Sequence, residues 1–434
     1  MEVMTFVLLV YMTLLGAAIG SFSGLVPGIH VNTLAAILLI TYPTISSLIV
    51  DLVPASIIPV MVAAVVVSAS VMHSFMDFVP SIFFGAPGEE DVLSVLPGHR
   101  MLKEGKGAEA VAFSAMGSLI GATAAVTLAL PIYIIMGTDG WDVLREHIPF
   151  ILPSILVLLI MSERGNGAWK KRAWAIILCI LSGILGIITM YGSLPATYSG
   201  FPGGGSMMPM LSGLFGLPAL LISIGGGSVP VQTGSYRTAV DSGPAWKGVI
   251  AGLAVGWLPG VTSTTGAVIA SMTSPEKTPE RFITMVSSVG TAATVFALVT
   301  LSVTGNGRTG TMLVVADIMN KGTSGLNGQS FSLLLLCALM TAVMGYFLTV
   351  KAGVLFARFL QGKNLSKFNV AIALFLCILT IVTCGPGGLL MLLTGSILGL
   401  IPSAVGVGRV HLTGSLLLPV IAYQWGILIP NINI

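Results

Sequence analysis

Two Pro-Gly pairs interrupt apolar runs of the sequence, Pro27-Gly28 in "GLVPGIH" and Pro259-Gly260 in "GWLPGVT". The polar side chains that follow them are His30, Asn32, Thr33, Thr262, Ser263, Thr264 and Thr265. Proline lacks a backbone N–H and glycine permits unusual backbone angles, so each pair is predicted to end one helix and begin another. A helix N-terminus attracts anions such as carboxylates. The pairs therefore predict an anionic substrate site, and the alternative is two ordinary turns at the membrane surface.

Two Gly-rich segments, "GAPGEED" (85 to 91) and "GNGRTG" (305 to 310), form a second candidate pair. Their candidate substrate-binding residues are Gly85, Pro87, Gly88, Asn306, Gly307 and Arg308. Arg308 is suited to bidentate binding of a carboxylate, and the alternative is an arginine that snorkels to the membrane surface. Glu89, Glu90 and Asp91 are candidates for ion coupling, whereas the simpler interpretation of three adjacent acids is a solvated loop.

Asp77 and Asp317 interrupt apolar segments, and a carboxylate within a membrane is costly unless it has a function. Both are candidates for coupling to a sodium ion or a proton. Asp317 has the alternative of an ion pair with Lys321 at i+4. His73 is four residues before Asp77 and is therefore expected on the same helix face. It is interpreted either as part of a proton relay or as a buried, hydrogen-bonded histidine. His30 is a candidate pH sensor.

The sequence contains no H-E-x-x-H, P-loop or G-x-S-x-G motif, so no enzyme is expected. Neither a metal site nor a cofactor is expected, apart from sodium or a proton as the coupling ion. The four cysteines are scattered through apolar runs and are interpreted as small core residues.

The elements that position these residues must lie in a membrane. Of the 434 residues, 55% are hydrophobic and only 8% are charged, far fewer charged residues than the roughly 25% of globular proteins. Apolar stretches of about 20 residues recur along the chain, which predicts an all-α integral membrane protein with about ten to twelve membrane elements. The basic links "ERGNGAWKKR" (163 to 172) and "ARFLQGKNLSK" (357 to 367) are predicted to be cytoplasmic.

An internal repeat relates the two Pro-Gly pairs. Residues 20 to 39 align with residues 252 to 271 at an offset of 232, and "MVAAVVVSASV" (61 to 71) aligns with "MVSSVGTAATV" (285 to 295) at an offset of 224. A single membrane domain is predicted, with repeat one over about 1–165, a connecting region over about 166–229, repeat two over about 230–400 and a final membrane helix over about 410–434. Interrupted hydrophobic segments at corresponding positions of two halves indicate the site of a secondary transporter.

Three segments resemble the large permease subunit of the tripartite tricarboxylate transporters, the TctA family, and especially its shorter archaeal-type members. They are "GSFSGLVPGIHVNTLAAILL" (20 to 39), "FGAPGEEDVLSVLPGHRMLKEGKGAEAVAFSAMGSLIGA" (84 to 122) and "GLAVGWLPGVTSTTGAVIAS" (252 to 271). The resemblance implies a permease of two inverted repeats with broken or re-entrant half-helices. It also implies small carboxylate substrates, an extracytoplasmic binding protein and a small membrane subunit as partners.

The sequence therefore predicts a secondary active transporter in the cell membrane for a small di- or tricarboxylate-like anion. A translocase for a polyprenyl-phosphate lipid carrier is the alternative, because the same helix N-termini would bind its phosphate. A passive channel and an intramembrane enzyme are weaker alternatives. The expected partners are the anion and membrane lipid, with no nucleic acid, and a homodimer is left open.

Overall fold

The computed structural model describes residues 3–27, 29, 31–85, 95–191, 207–224, 227–233, 241–273, 276, 278–320 and 326–427. These residues form helices joined by short links, without a strand in the described part of the chain. The helices are α1 (Val3–Leu25), α2 (Val31–Ile49), α3 (Ile58–Met76), α4 (Phe78–Phe84), α5 (Val95–Lys103), α6 (Gly107–Ile135), α7 (Trp141–Met161), α8 (Ala168–Tyr191), α9 (Met207–Leu211), α10 (Leu217–Ser223), α11 (Gly243–Trp257), α12 (Ser263–Thr273), α13 (Pro279–Thr304), α14 (Gly310–Asn320), α15 (Gly328–Leu360), α16 (Leu365–Val405) and α17 (Gly414–Gln424).

Seven helical segments of the described chain are long and apolar enough to cross a membrane. They are Val3–Leu25, Ala55–Phe84, Gly107–Met161, Ala168–Tyr191, Pro279–Thr304, Gly328–Leu360 and Leu365–Val405. Three shorter apolar helical segments lie among them: Ile37–Ile49, Met207–Ser223 and Gly310–Asn320. The prediction of an all-α integral membrane protein is confirmed.

The helix breaks fall where the Pro-Gly pairs predict them. α1 ends at Leu25 and α2 begins at Val31, so the first pair lies in the link between them. α11 ends at Trp257 and α12 begins at Ser263, with the second pair between them. Leu258 is extended, and Gly260 has a φ of +73°, a left-handed conformation that strains any residue with a Cβ.

A glycine at every fourth position lets α1 pack closely on α3, and the same pattern lets α11 pack on α13. Gly16, Gly20 and Gly24 face α3, and Gly248, Gly252 and Gly256 face α13. A Cβ at any of these positions would lie no more than 3.0 Å from a backbone or Cβ atom of the facing helix. Small residues at four-residue spacing are the usual means of close helix contact in membranes.

The glycines also fix how the two helix pairs correspond. Gly16 and Gly248, Gly20 and Gly252, and Gly24 and Gly256 are each 232 residues apart, which is the offset predicted for these helices. The residues that face these glycines on α3 and on α13 are 220 residues apart. The corresponding pairs are Val65 with Met285, Ser68 with Ser288, Ala69 with Val289, Met72 with Ala292 and Met76 with Phe296. The offset of 224 proposed from sequence for α3 and α13 is therefore wrong by one helical turn.

The relative directions of the long helices follow from the residues that meet. α6 and α13 run parallel, because Phe113 contacts Thr284 and Ser118 contacts Ser287. α15 runs antiparallel to α6: Val111 meets Gly353 near one end, and Tyr133 stacks on Phe331 near the other at a centroid distance of 5.3 Å. α15 runs parallel to α3, since Phe75 meets Gly345 and Met76 meets Thr349. By this chain of contacts, α3 and α13 run in opposite directions.

An extended segment, residues 227 to 233, ties two helix turns together at one end of the bundle; we call it the strap. Val229 exchanges backbone hydrogen bonds with Gly362 and Lys363 in the turn before α16, at 2.9 and 3.1 Å. Gln232 is buried, accepts from the N–H of Gly107 at 2.9 Å and donates to the carbonyl of Leu102 at 3.1 Å. The basic segments 98 to 107 and 357 to 367 therefore lie at the same end of the molecule.

Candidate functional site

At the break at Pro259-Gly260, side chains form hydrogen bonds with backbone groups that the ends of α11 and α12 leave unpaired. Thr300 on α13 donates to the carbonyl of Gly256 at 2.8 Å, one of the last carbonyls of α11. The N–H of Thr265 donates to the Thr262 hydroxyl at 3.2 Å, so Thr262 caps the N-terminus of α12. A Cβ at Gly260 would lie 3.1 Å from the carbonyl oxygen of Leu416 on α17. Thr262, Ser263, Thr264 and Thr265 are all buried.

The break after Leu25 lies beside the junction of α3 and α4. The Ser23 hydroxyl is 2.9 Å from His73 Nδ1, and Gly24 packs against His73, Met76 and Asp77. Pro27 is half-buried in the turn, where the N–H of Ile29 donates to the carbonyl of Val26 at 3.2 Å. Gly28 and His30 lie outside the described residues. Asn32 and Thr33 belong to α2, and the structure does not describe their side chains.

The two breaks approach a polar contact between α3 and α13. The Ser74 hydroxyl donates to the Thr291 hydroxyl at 3.5 Å, and both side chains are buried. Gly24, just before the first break, packs against His73 and Met76 on either side of Ser74. Gly256, just before the second break, packs against Ala293 and Phe296, two and five residues beyond Thr291. The helix ends that lead into the two breaks thus flank the crossing of α3 and α13.

The predicted acidic residues have different surroundings. Asp77 is half-buried at the C-terminus of α3, where its backbone N–H donates to the carbonyl of His73 at 3.0 Å. Asp317 lies on α14 with an exposed side chain, and Lys321 is outside the described residues. Gly85 caps α4 with a φ of 64°. Pro87, Gly88, Glu89, Glu90 and Asp91 lie outside the described residues.

Arg308 lies in the link between α13 and α14 and packs on aromatic rings. Its guanidinium carbon is 4.9 Å from the centre of the Trp141 ring, and Trp141 is 6.0 Å from Trp257, the last residue of α11. Burial lowers the pKa of Arg308, yet an arginine side chain stays protonated. Asn306 is exposed, and Gly307 packs tightly against the first turn of α14. The Arg308 link is thereby joined to the second Pro-Gly break.

Sequence reasoning missed Trp141 and Trp257 at this site. Trp141 belongs to no motif, Trp257 lies within "GWLPGVT" but was given no role, and both are far from Arg308 in the chain. The one available signal was that Trp257 directly precedes "LPG". No group of three or more His, Cys, Asp or Glu side chains is placed to hold a metal ion in the described part of the chain.

The fold and the paired helix breaks define a multi-pass membrane protein of the cell membrane. A sequence model of the Tripartite tricarboxylate transporter TctA family matches residues 10–414, and the chain belongs to this family of membrane transporter components. The chain is also 26% identical over 369 residues to the uncharacterized protein MJ1079 of Methanocaldococcus jannaschii, covering 82% of this chain and 84% of that protein. No solved structure matches.

Proposed function

We propose that the protein is a secondary active transporter that moves a small di- or tricarboxylate across the cytoplasmic membrane. The observation that carries the proposal is the pair of Pro-Gly helix breaks at the crossing of α3 and α13. Discontinuous helices that meet at the interface of two repeats are the common architecture of substrate sites in such transporters. The buried hydroxyls of Thr262 to Thr265 provide polar partners for an anion there. Membership of the family supports a carboxylate as the substrate.

The proposal includes two inverted repeats over about 1–165 and 230–400. Its support is that α1 with α3, and α11 with α13, pack through the same glycine positions while α3 and α13 run in opposite directions. Inverted repeats permit alternating access, because one half can take the conformation of the other around a fixed site. Sodium or a proton is proposed as the coupling ion, with Asp77 as its first candidate ligand because it borders the first break.

The family name also supports partner subunits. We propose that the chain works with an extracytoplasmic binding protein that delivers the anion and with a small membrane subunit. Co-expression tests this part: uptake from low concentrations of citrate should rise when candidate partners from the same genome are present, and uptake by the chain alone should require higher concentrations.

The proposed function is tested by uptake of radiolabelled citrate or succinate into proteoliposomes with an imposed sodium or proton gradient. Gly260→Leu should abolish uptake, because its positive φ and its contact with α17 leave no room for a side chain. Thr262→Ala removes the cap of α12 and should lower uptake while costing about 1 kcal/mol of stability. Gly328→Leu is the matched control, since a Cβ there meets no atom of the described residues within 4 Å.

Three outcomes would count against the proposal. Normal uptake by a folded Gly260→Leu variant would remove the site from the second break. Uptake that runs only downhill and is insensitive to both gradients would indicate a channel. Thermal stabilisation by a polyprenyl phosphate, with none by carboxylates, would favour the lipid-carrier translocase.

A further inference from the structure

Arg308, Trp141 and Trp257 lie at the end of the molecule opposite the strap. α6 begins at Gly107 beside the strap and runs continuously for 29 residues, after which Trp141 follows a short link. The strap end carries the basic segments 98 to 107 and 357 to 367, which the positive-inside rule assigns to the cytoplasm. The Arg308 group therefore lies toward the extracytoplasmic side, where an arginine is not favoured by that rule.

The donor groups of this cluster have no acceptor among the described residues. Arg308 makes no hydrogen bond or ion pair with them, and its Nε atom is buried. Trp257 is 3% exposed, and its indole N–H is likewise buried without a partner. Asp139 and Asp142 flank Trp141 in the chain, but their exposed side chains do not pair with Arg308. Buried donors are nearly always satisfied in proteins, so these two indicate a partner that the protein itself does not supply.

Two partly buried cations of the described chain, Lys247 and Arg281, do have carboxylate partners. Lys247 and Arg281 both bind Glu276, whose side chain is 2% exposed, and Arg281 also binds Asp241. Arg308 differs from them because its neighbour is an aromatic face. A snorkelling arginine would place all of its guanidinium N–H groups in water, whereas Nε of Arg308 is buried without a partner among the described residues. Neither an ion pair nor snorkelling explains this buried Nε–H.

We propose that Arg308, Trp141 and Trp257 form an extracytoplasmic docking site for a carboxylate of the transported anion, next to the second Pro-Gly break. The Trp141 ring holds the guanidinium plane by a cation–π contact, which leaves the guanidinium N–H groups for a bidentate carboxylate. The indole N–H of Trp257 supplies a further donor. Trp257 ends α11, so an anion docked here lies directly before the break at Pro259-Gly260. The inference rests on the proposed transport function and identifies where its substrate binds first.

The test is uptake of citrate into proteoliposomes by the full chain, measured over a range of concentrations from the extracytoplasmic side. Arg308→Gln should raise KM by about 10- to 100-fold, the loss expected for charge-assisted hydrogen bonds, with Vmax largely retained. Arg308→Lys should give an intermediate KM, because a lysine keeps the charge and loses the bidentate geometry. Trp257→Phe keeps the ring but removes the donor, and should raise KM about threefold to tenfold.

Arg145→Gln is the matched control, because Arg145 is an exposed arginine one turn past Trp141 on α7. Its KM should equal that of the unaltered protein. An unchanged KM in Arg308→Gln would overturn the docking site. A fall in Vmax and in thermal stability without a change in KM would likewise overturn it, because it would indicate a purely structural arginine.

A second measurement separates failure of the docking site from failure of the transport proposal. Thermal unfolding of the purified protein is followed with citrate, with inorganic phosphate, or with anionic lipid. Stabilisation by citrate that is lost in Arg308→Gln supports the site even if uptake is absent. If phosphate stabilises the protein and citrate does not, the assignment of a carboxylate ligand is overturned. Stabilisation by anionic lipid alone would make Arg308 a headgroup contact and would also overturn it.

Discussion

His411 is a buried histidine that joins two distant parts of the chain. It is 2% exposed, and its Nε2 lies 2.9 Å from Oε1 of Glu163, which also accepts from the N–H of Gly408 at 2.7 Å. Arg172 binds the backbone carbonyl of Glu163. Burial lowers the pKa of His411, and the neighbouring Glu163 opposes that shift only in part. The folded protein therefore favours the neutral imidazole.

Protonation of His411 is predicted to destabilise the protein at acid pH. Because the folded pKa lies below the ordinary value of 6.5, the unfolded chain binds the proton first as the pH falls. The stability contributed by His411 is complete above about pH 6.5 and is lost as the pH falls below it. The fall in Tm between about pH 7.5 and pH 5.5 should be smaller in His411→Gln than in the unaltered protein.

The exposed His147 provides the control for this prediction. His147→Gln should leave the pH-dependent fall in Tm unchanged. Equal falls in all three proteins would show that His411 does not contribute to the acid sensitivity.

At the scale of helices, the contacts of α1 on α3 and of α11 on α13 depend on glycine. A Cβ at Gly252 would lie 2.8 Å from the carbonyl oxygen of Val289 and from the Cβ of Ala292, so the helices would have to separate. Overpacking of this kind typically costs about 1–3 kcal/mol. The helix pair is therefore sensitive to a single added methyl group.

Gly252→Ala is expected to lower the free energy of unfolding by about 1–3 kcal/mol, seen as a lower Tm in detergent. Gly328→Ala is the control, because its Cβ meets nothing within 4 Å in the part of the chain that the structure describes. That substitution should be neutral or slightly stabilising, since alanine favours helix more than glycine does. A Tm for Gly252→Ala equal to that of the control would refute the close packing of α11 on α13.

The sequence predicted the parts of this architecture that depend on local chemistry. A Pro-Gly pair within an apolar run favours a helix break, so the breaks at Pro27-Gly28 and Pro259-Gly260 could be located directly. The residue-by-residue correspondence of α3 with α13 could not be predicted, because runs of Val, Ala and Ser look alike when they are shifted by one helical turn. The contact of Arg308 with Trp141 was also beyond prediction, since it depends on how α7, α11 and α13 pack.

At the scale of the whole molecule, the strap is distant in sequence from both of the helix turns that it joins, and hydrogen bonds hold it to them. Gln232 satisfies backbone groups of the turn between α5 and α6, and Val229 pairs with the turn between α15 and α16. Both turns are basic. The strap thus gathers Arg100, Lys103, Lys106, Lys363 and Lys367 at one end of the protein.

The orientation of the protein can be tested by cysteine labelling in intact cells. Lys103→Cys and Lys367→Cys should react with a membrane-impermeant thiol reagent only after the cells are permeabilised, whereas Asn306→Cys should react from outside. All three positions are exposed, and Cys179, Cys337 and Cys384 are buried. The unaltered protein measures background, including that of the partly exposed Cys377. Labelling of all three variants from the same side would contradict the opposite placement of the strap and Arg308.

The two helix breaks are followed by arms of unequal length. α2 has 19 residues and α12 has 11, or about 29 and 17 Å of helix. Together with a longer link before α3 than before α13, this lowers the offset between the halves from 232 before the breaks to 220 after them, a difference of 12 residues. In the inverted-repeat mechanism that we propose, such halves would have outward-facing and inward-facing states of unequal energy. The proposal therefore includes a preferred resting face, and forward and reverse transport cycles that differ in rate under equal driving gradients.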